Sequence, residues 1–298
     1  MYNILGTRKV WYAISMLLVT ASIVFISMGG LKLGIDFSGG SLLQVQFDGV
    51  RPNAQEIQAI LDEFNLGDVV VQPVKDKDIM IRMKTIENDT RVQILAKLNE
   101  NYGTVNELSF ESVGPTVGNE LKQKTIVGVL FVMAAIIAYL SYAFRKISGG
   151  PVPAYIFGVC AIIALAHDIL IVTGVFAALG YFLGVQLDAL FVTALLTILG
   201  FSVHDTIVVY DRIREGIVKG SSSDFEETIN KSINETMVRS INTSFTTLLV
   251  LIALYLFGGE SLKYFVLALI IGIVVGTYSS IFIASPLLLL WHNKFSKN

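Results

Sequence analysis

The sequence predicts a polytopic α-helical membrane protein with one polar α+β domain inserted between its first and second transmembrane helices. Three observations carry that prediction. Of the 298 residues, 53% are hydrophobic and only 15% are charged, where soluble domains carry about 25% charge. The mean hydropathy is +0.66. The charges are also segregated, dense between Leu31 and Lys124 and nearly absent from long runs after Thr125. A soluble globule, a disordered chain and a disulfide-stapled scaffold are thereby excluded. The single cysteine, Cys160, stands in an apolar run, so neither an intramolecular disulfide nor a multi-cysteine metal site is possible. The net charge is −2 and the pI 5.9; no polyanion-binding surface is indicated and no nucleic-acid partner is expected.

A helix needs roughly 20 apolar residues to cross the hydrocarbon core. The first span is read over 10–31, behind Arg8 and Lys9. A cleaved signal peptide is the competing reading. The run is long for one, however, and ends in Ser27-Met28-Gly29-Gly30 without a small-residue cleavage site. Segment 1–31 is therefore taken as a cytoplasmic N-terminus and an anchor. The second span, 125–144, ends at Arg145-Lys146. The largely apolar stretch 151–210 follows, and then the basic cluster Arg212, Arg214 and Lys219. Basic loops stay in the cytoplasm, so an even number of crossings joins the two clusters. Two spans fit, turning between 180 and 188, where there is no Lys or Arg. By the same parity, 240–257 and 264–290 turn at Gly258-Gly259-Glu260 and return to Lys294 and Lys297. Residues 121–298 form a five-helix bundle on this reading. The total is six spans with both termini cytoplasmic. Residues 32–120 then lie outside, and the ten Lys and Arg from Lys32 to Lys124 do not oppose this, because long translocated domains largely escape the charge rule.

Within that polar segment the periodicity alternates. Residues 42–47 alternate as a strand and end at an Asp48-Gly49 turn signal. Pro52 to Phe64 has apolar residues at 57, 60, 61 and 64, a helical spacing. Strands are expected over 69–74 and 78–83, joined by Lys75-Asp76-Lys77. A second helix is expected over 88–101 with Val92, Leu95 and Leu98 on one stripe, and a last strand over 105–113. The order β-α-β-β-α-β is the ferredoxin-like split motif. The segment has no histidine, no cysteine and no phosphate-binding glycine loop, so it reads as a binding or moving module.

The informative residues are those that are costly in lipid. Asp168 falls in the third span, Asp205 in the fourth and Arg239 at the start of the fifth. A charge at the bilayer centre costs at least ~2.5–3.5 kcal/mol on insertion scales, so each needs a partner or a wet cavity. At ~1.5 Å per residue, Asp205 lies about 9 Å before Asp211, in the cytoplasmic half. Arg239 enters in the same half, and an Asp205–Arg239 ion pair is expected. Asp168 is expected near mid-membrane, a second station of a proton path. Ser202, Thr206 and Asn242, with other nearby hydroxyls, surround the pair, and His167 and His204 sit beside the acids. A lone membrane histidine is more often a packing residue. Gly272 and Gly276 have a spacing that suits close helix contact. Enzyme signatures fail: Gly200-Phe201-Ser202-Val203 has no base facing the serine, and there is no H-E-x-x-H motif and no P-loop. No catalytic activity, metal or cofactor is expected.

Several motifs nevertheless occur together. They are GIDFSGG at 34–40, VGPTVGNEL at 113–121, FSVHDTIVVYDRIRE at 201–215, RSINTSFTTLL at 239–249 and YSSIFIASPL at 278–287. In this order the chain resembles the SecF family, the smaller half of the SecDF protein-export complex, over nearly its whole length. The resemblance implies kinship with RND transporters, whose two pseudo-repeats each carry six spans. This chain holds one such repeat. SecD is then the implied partner, SecYEG the client channel, YajC a further associated protein and translocating preproteins the cargo, in a bacterial cytoplasmic membrane. The family's proton-linked aspartate and arginine fall on Asp205 and Arg239, and His204 stands where members commonly carry asparagine. The implied function is to use the proton-motive force to promote polypeptide export. Two other readings remain: a half-transporter of a small-molecule RND exporter, which predicts a larger exported domain with an aromatic cleft, and a non-transporting assembly scaffold, in which Asp205 and Arg239 would be dispensable.

Overall fold

A computed structural model describes residues 2–74, 76–145, 151–220 and 224–295. Lys75, Lys146 and Lys297, which the sequence reading places in a turn and at cytoplasmic ends, lie outside the described residues. The chain divides into two compact units, Met1–Lys32 with Val127–Asn298, and Leu33–Ile126.

Helix α1 covers Arg8–Ser27, and the polar unit follows it. A single helical turn, α2 (Ile35–Ser38), precedes strand β1 (Gly40–Phe47). Then come α3 (Ala54–Leu61), β2 (Val70–Pro73), β3 (Asp78–Met83), α4 (Asn88–Tyr102) and β4 (Val105–Val113). The strands lie in the order β2-β3-β1-β4, every neighbouring pair antiparallel. This is the ferredoxin-like arrangement expected from the element order. Helix α3 starts where Asn53 accepts from Gln55 N–H and Glu56 closes a capping box. One face of the sheet, with Leu43, Val45, Ile79 and Ile81, is buried against Ile57 and Leu61 of α3 and Ile94 and Leu98 of α4. The expected stripe on α4 is corrected here. Val92 is exposed, and Ile94, Leu95 and Leu98 face the sheet. Spacing alone allowed either phase, and contact with the sheet selects the one that removes most apolar area from water. In the GIDFSGG segment, Gly39 has a φ of 73°, and a Cβ there would stand 2.7 Å from the Pro115 Cα. Only glycine permits both the left-handed backbone and the close approach.

Among the described residues, six helices are long and apolar enough to span. After α1 come α5 (Pro115–Ala143), α6 (Ala154–Leu183), α7 (Ala189–Lys219) and α8 (Phe225–Phe257). The sixth span is continuous over Lys263–Lys294 but is built from α9 (Lys263–Ser279), a π turn (Ser280–Ala284) and α10 (Ser285–Phe295). Several helices outrun the apolar segments that announced them. Helix α8 starts at Asp224, whose side chain caps it, well before the span read from 240. Its polar first turns bury Phe225, Ile229 and Ile233 against the neighbouring helix ends. A count of apolar residues misses such an amphipathic extension.

Helices α6, α7 and the sixth span form the inside of the bundle, with 61%, 50% and 56% of their most apolar stretches buried. Only 11%, 6% and 11% are buried in α1, α5 and α8, which lie on the outside. The inner helices approach through small residues, as the 272/276 spacing predicts. A Cβ on Gly272 would collide with the Ile198 side chain, and one on Gly276 would meet the Ser202 Cβ at 2.9 Å. At the other end of the bundle, Phe157 stacks on Phe144 at 5.2 Å and meets Tyr210 edge-on at 5.2 Å. Ile4 and Leu5 of the N-terminal segment are buried in the same cluster.

Candidate functional site: buried carboxylates of the membrane bundle

Asp168 is wholly buried on α6, and α7 and α9 supply its partners. Ser202 Oγ donates to its Oδ2 at 2.6 Å and Ser279 Oγ donates to the same oxygen at 2.8 Å. His167 Nδ1 lies 3.0 Å from Oδ1, while its Nε2 is buried without a partner among the described residues. Three helices therefore meet on one carboxylate. The approach depends on Gly276, which lets α9 reach Ser202. Immediately after Ser279 the sixth span turns into its π segment. Two backbone carbonyls of that segment accept from side-chain hydroxyls. Ser285 Oγ donates to Ser280 O at 3.0 Å, and Tyr210 Oη to Ala284 O at 3.0 Å.

Asp205, three residues beyond Ser202 on α7, is 3% exposed. Among the described residues its Oδ2 has no hydrogen-bond partner, and neither does Ser240 Oγ on α8. The Ser240 and Thr277 hydroxyls stand close enough to act on the Asp205 carboxyl as donors, though without a well-formed hydrogen bond at Oδ2, and His204 and Arg239 act on it electrostatically. Beside them Ser244 Oγ and Thr277 Oγ1 are 2.5 Å apart, joining α8 to α9. Asp205 thus stands where α7, α8 and α9 converge, among hydroxyls, with one oxygen unsatisfied. A buried carboxylate oxygen without a donor is costly, and a proton or a moved cationic partner removes that cost.

The expected ion pair does not form. Arg239 is exposed on α8 and makes no salt bridge among the described residues; its carbonyl accepts from Thr243 Oγ1 at 2.9 Å. Residue count places Arg239 and Asp205 in the same half of the bundle, but successive helical residues are turned by about 100°. Ser240, the next residue, takes the inward position. Ser202 is also corrected: it faces Asp168, not Asp205. Thr206 is buried, but its hydroxyl bonds the backbone of its own helix at Ser202 O, 3.0 Å away. His204 and Asn242 are exposed, outside the buried cluster. The sequence reading passed over Ser240, Thr277 and Ser279 as individual residues and treated His167 as a packing residue. Ser240 and Ser279 both lie inside quoted motifs, 239–249 and 278–287, which was the available signal.

Comparison with known proteins agrees with the fold and the motifs. The family described as "Protein export membrane protein SecD/SecF, C-terminal" matches residues 93–294, and the "SecD/SecF GG Motif" matches residues 24–49. The protein translocase subunit SecF of Thermobaculum terrenum is 43% identical, over 99% of this chain and 95% of its own length. That of Synechocystis is 40% identical, over 95% of this chain and 92% of its own. The crystal structure of SecDF from Thermus thermophilus, described as a translocon-associated membrane protein, superposes with a TM-score of 0.85 at 32% identity over 98% of this chain. SecDF in a super-membrane-facing form gives a TM-score of 0.70 at 31% identity. This chain spans 39% of each of those SecDF chains. A multi-pass membrane protein with six candidate spans, a ferredoxin-like domain after the first, and these relatives along nearly its full length leaves one assignment: the chain belongs to the SecF family of protein translocase subunits.

Proposed function

We propose that this chain is an auxiliary subunit of the Sec translocase in the bacterial inner membrane and uses the proton-motive force to promote polypeptide export. Asp205 and Arg239 are the residues that link proton movement to a change of state. The observation that carries this reading is the Asp205 Oδ2, buried without a donor, with an exposed arginine on the adjoining helix near enough to act on it electrostatically. Such a carboxylate has two ways to be satisfied, by a proton or by a repositioned guanidinium, and alternation between them is a coupling cycle. A membrane potential supplies ~2.3 kcal/mol per charge per 100 mV, so a few protons suffice to drive a domain movement. The polar domain lies on the extracytoplasmic side, with both termini in the cytoplasm. It works as a moving or binding module, and its role is transport rather than chemistry on a substrate.

SecD supplies the second six-helix repeat, with SecYEG as the channel, YajC as an associated protein and preproteins as cargo. The exposed His204, Arg239 and Asn242 are then residues that such a second repeat would shield from lipid, since charged and amide groups are costly there. The test is Asp205→Asn in vesicles holding the assembled translocase, with and without an uncoupler. The substitution keeps the shape and removes the titrating group. Export should lose its dependence on the gradient while assembly persists, and Arg239→Met should uncouple as well. Full gradient-dependent stimulation in the Asp205→Asn protein would defeat the proposal.

A further inference from the structure

The two buried carboxylates are not equivalent. Asp168 accepts from Ser202 and Ser279 at one oxygen and lies 3.0 Å from the His167 ring at the other. Its oxygens are provided for within the fold. Asp205, by contrast, has an oxygen with no donor among the described residues. One group is held and the other is available, although Ser202, which Asp168 holds, stands less than a turn before Asp205 on α7.

We infer that Asp168 is a positioning residue rather than a proton carrier: oriented by His167, it grips Ser202 on α7 and Ser279 on α9 and so aims Asp205 at α8. The inference rests on the proton-coupling reading of Asp205. Ser202 precedes Asp205 by three residues, so the two share a rigid helical segment. Fixing the Ser202 hydroxyl fixes the roll of that segment. A side chain extends about 5–6 Å from the helix axis, so a roll of about 10° carries the Asp205 carboxyl by roughly 1 Å. A displacement of that size is enough to alter a reacting geometry substantially. Ser279 does the same for α9, where Thr277 stands beside Asp205. The π turn begins at the next residue, and π turns recur where helices serve a function. Gripped at Ser279, α9 has a defined end from which the rest of the sixth span departs.

The titratable groups around the cluster are few. His167 faces Asp168 on its own helix, and Tyr278 of α9 stacks on the His167 ring at 6.3 Å. Helix α1 contributes Ser15, which bonds Tyr278 Oη at 3.0 Å. His204 of α7 and Arg239 of α8 border Asp205. Ser202 does not titrate but donates to Asp168, so a moved midpoint reports a change in position where Asp168→Asn, which leaves nothing to titrate at 168, moves it in the same way.

The experiment uses the assembled translocase in vesicles and follows gradient-dependent export stimulation across pH for Ser202→Ala, Asp168→Asn, their combination and Asp205→Asn. Ser202→Ala and Asp168→Asn should each keep a reduced response to the gradient, with its pH midpoint moved by about one unit. The combination should be no worse than the more severe single change, because both act through one contact. Ser202→Ala deletes a single oxygen and serves where Asp168→Asn fails to assemble. Loss of all gradient response in Asp168→Asn, with Ser202→Ala unaltered, would make Asp168 a carrier and overturn the inference. Unmoved midpoints with less assembled complex would overturn it too, leaving Asp168 a general packing residue. Full gradient response in Asp205→Asn would instead refute the underlying proton reading, an outcome read in a separate arm.

Discussion

Close contact between α7 and α9 makes a quantitative prediction at Gly272. A Cβ placed there would lie 2.8 Å from Ile198 Cγ2 and closer still to its Cγ1 and Cδ1. Ordinary contact begins at 3.4 Å, so even the longest of the three falls short by 3.4 − 2.8, about 0.6 Å. Gly272→Ala must therefore push α9 from α7 or drive Ile198 off its rotamer, and overpacking of this kind costs about 1–3 kcal/mol. Ile198 is 1% exposed, so Ile198→Ala leaves a cavity and costs about 2–5 kcal/mol. All three clashing atoms belong to the part of Ile198 that alanine lacks. In the combined variant the methyl introduced on α9 enters the space vacated on α7, and the two losses should fail to add, with a favourable coupling of about 1–3 kcal/mol. Association in lipid relies on such packing, because burying apolar surface inside a bilayer gains no hydrophobic driving force. The assay is the fraction of monodisperse protein remaining after heating in detergent, for wild type, both single variants and the pair. Losses that add across the pair would refute the reasoning, as would an undisturbed Gly272→Ala protein.

Three further expectations follow from other parts of the molecule. Asn230 and Asn234 hold the N-terminal segment through its backbone: Tyr2 N–H donates to Asn234 Oδ1 at 2.8 Å, Ile4 N–H donates to Asn230 Oδ1 at 3.0 Å, and both amide groups donate back to Tyr2 O. Replacing both by alanine should cost the segment about 1–3 kcal/mol, seen as faster amide exchange at Ile4 and Leu5; unchanged exchange would show the segment is held by packing alone. Residues 35–115 expressed alone should fold without metal, and Ile81→Ala, at a wholly buried position, should lower their stability to urea by about 2–5 kcal/mol. A metal requirement would contradict the reading of this domain as a binding or moving module. Finally, reporter fusions at Asn65 and Glu260 should lie outside the cytoplasm and those at Gly149, Ser222 and Lys297 inside, and an external Ser222 would overturn the six-span orientation.

Properties that run along one segment were legible in the sequence. The six spans follow from apolar length, the strands and helices of the polar unit from their periods, and the ferredoxin-like order from the succession of those elements. Asp205 stood out because a carboxylate in an apolar run has a cost that any environment must meet. Ends and faces were less accessible. Helix α8 begins well before its apolar run because an Asp224 cap and scattered isoleucines suffice to continue it. Only the tertiary structure decided which residues meet. It turned Ser202 to Asp168, left Arg239 exposed, brought Ser240 inward in its place and joined His167 to its neighbouring acid. Each outcome depends on the roll of one helix against another, and a residue sequence records spacing along a helix axis but not rotation about it. That rotation is set by the packing of small residues such as Gly272 and Gly276 against partners some seventy positions away, and it appears only when the helices are assembled.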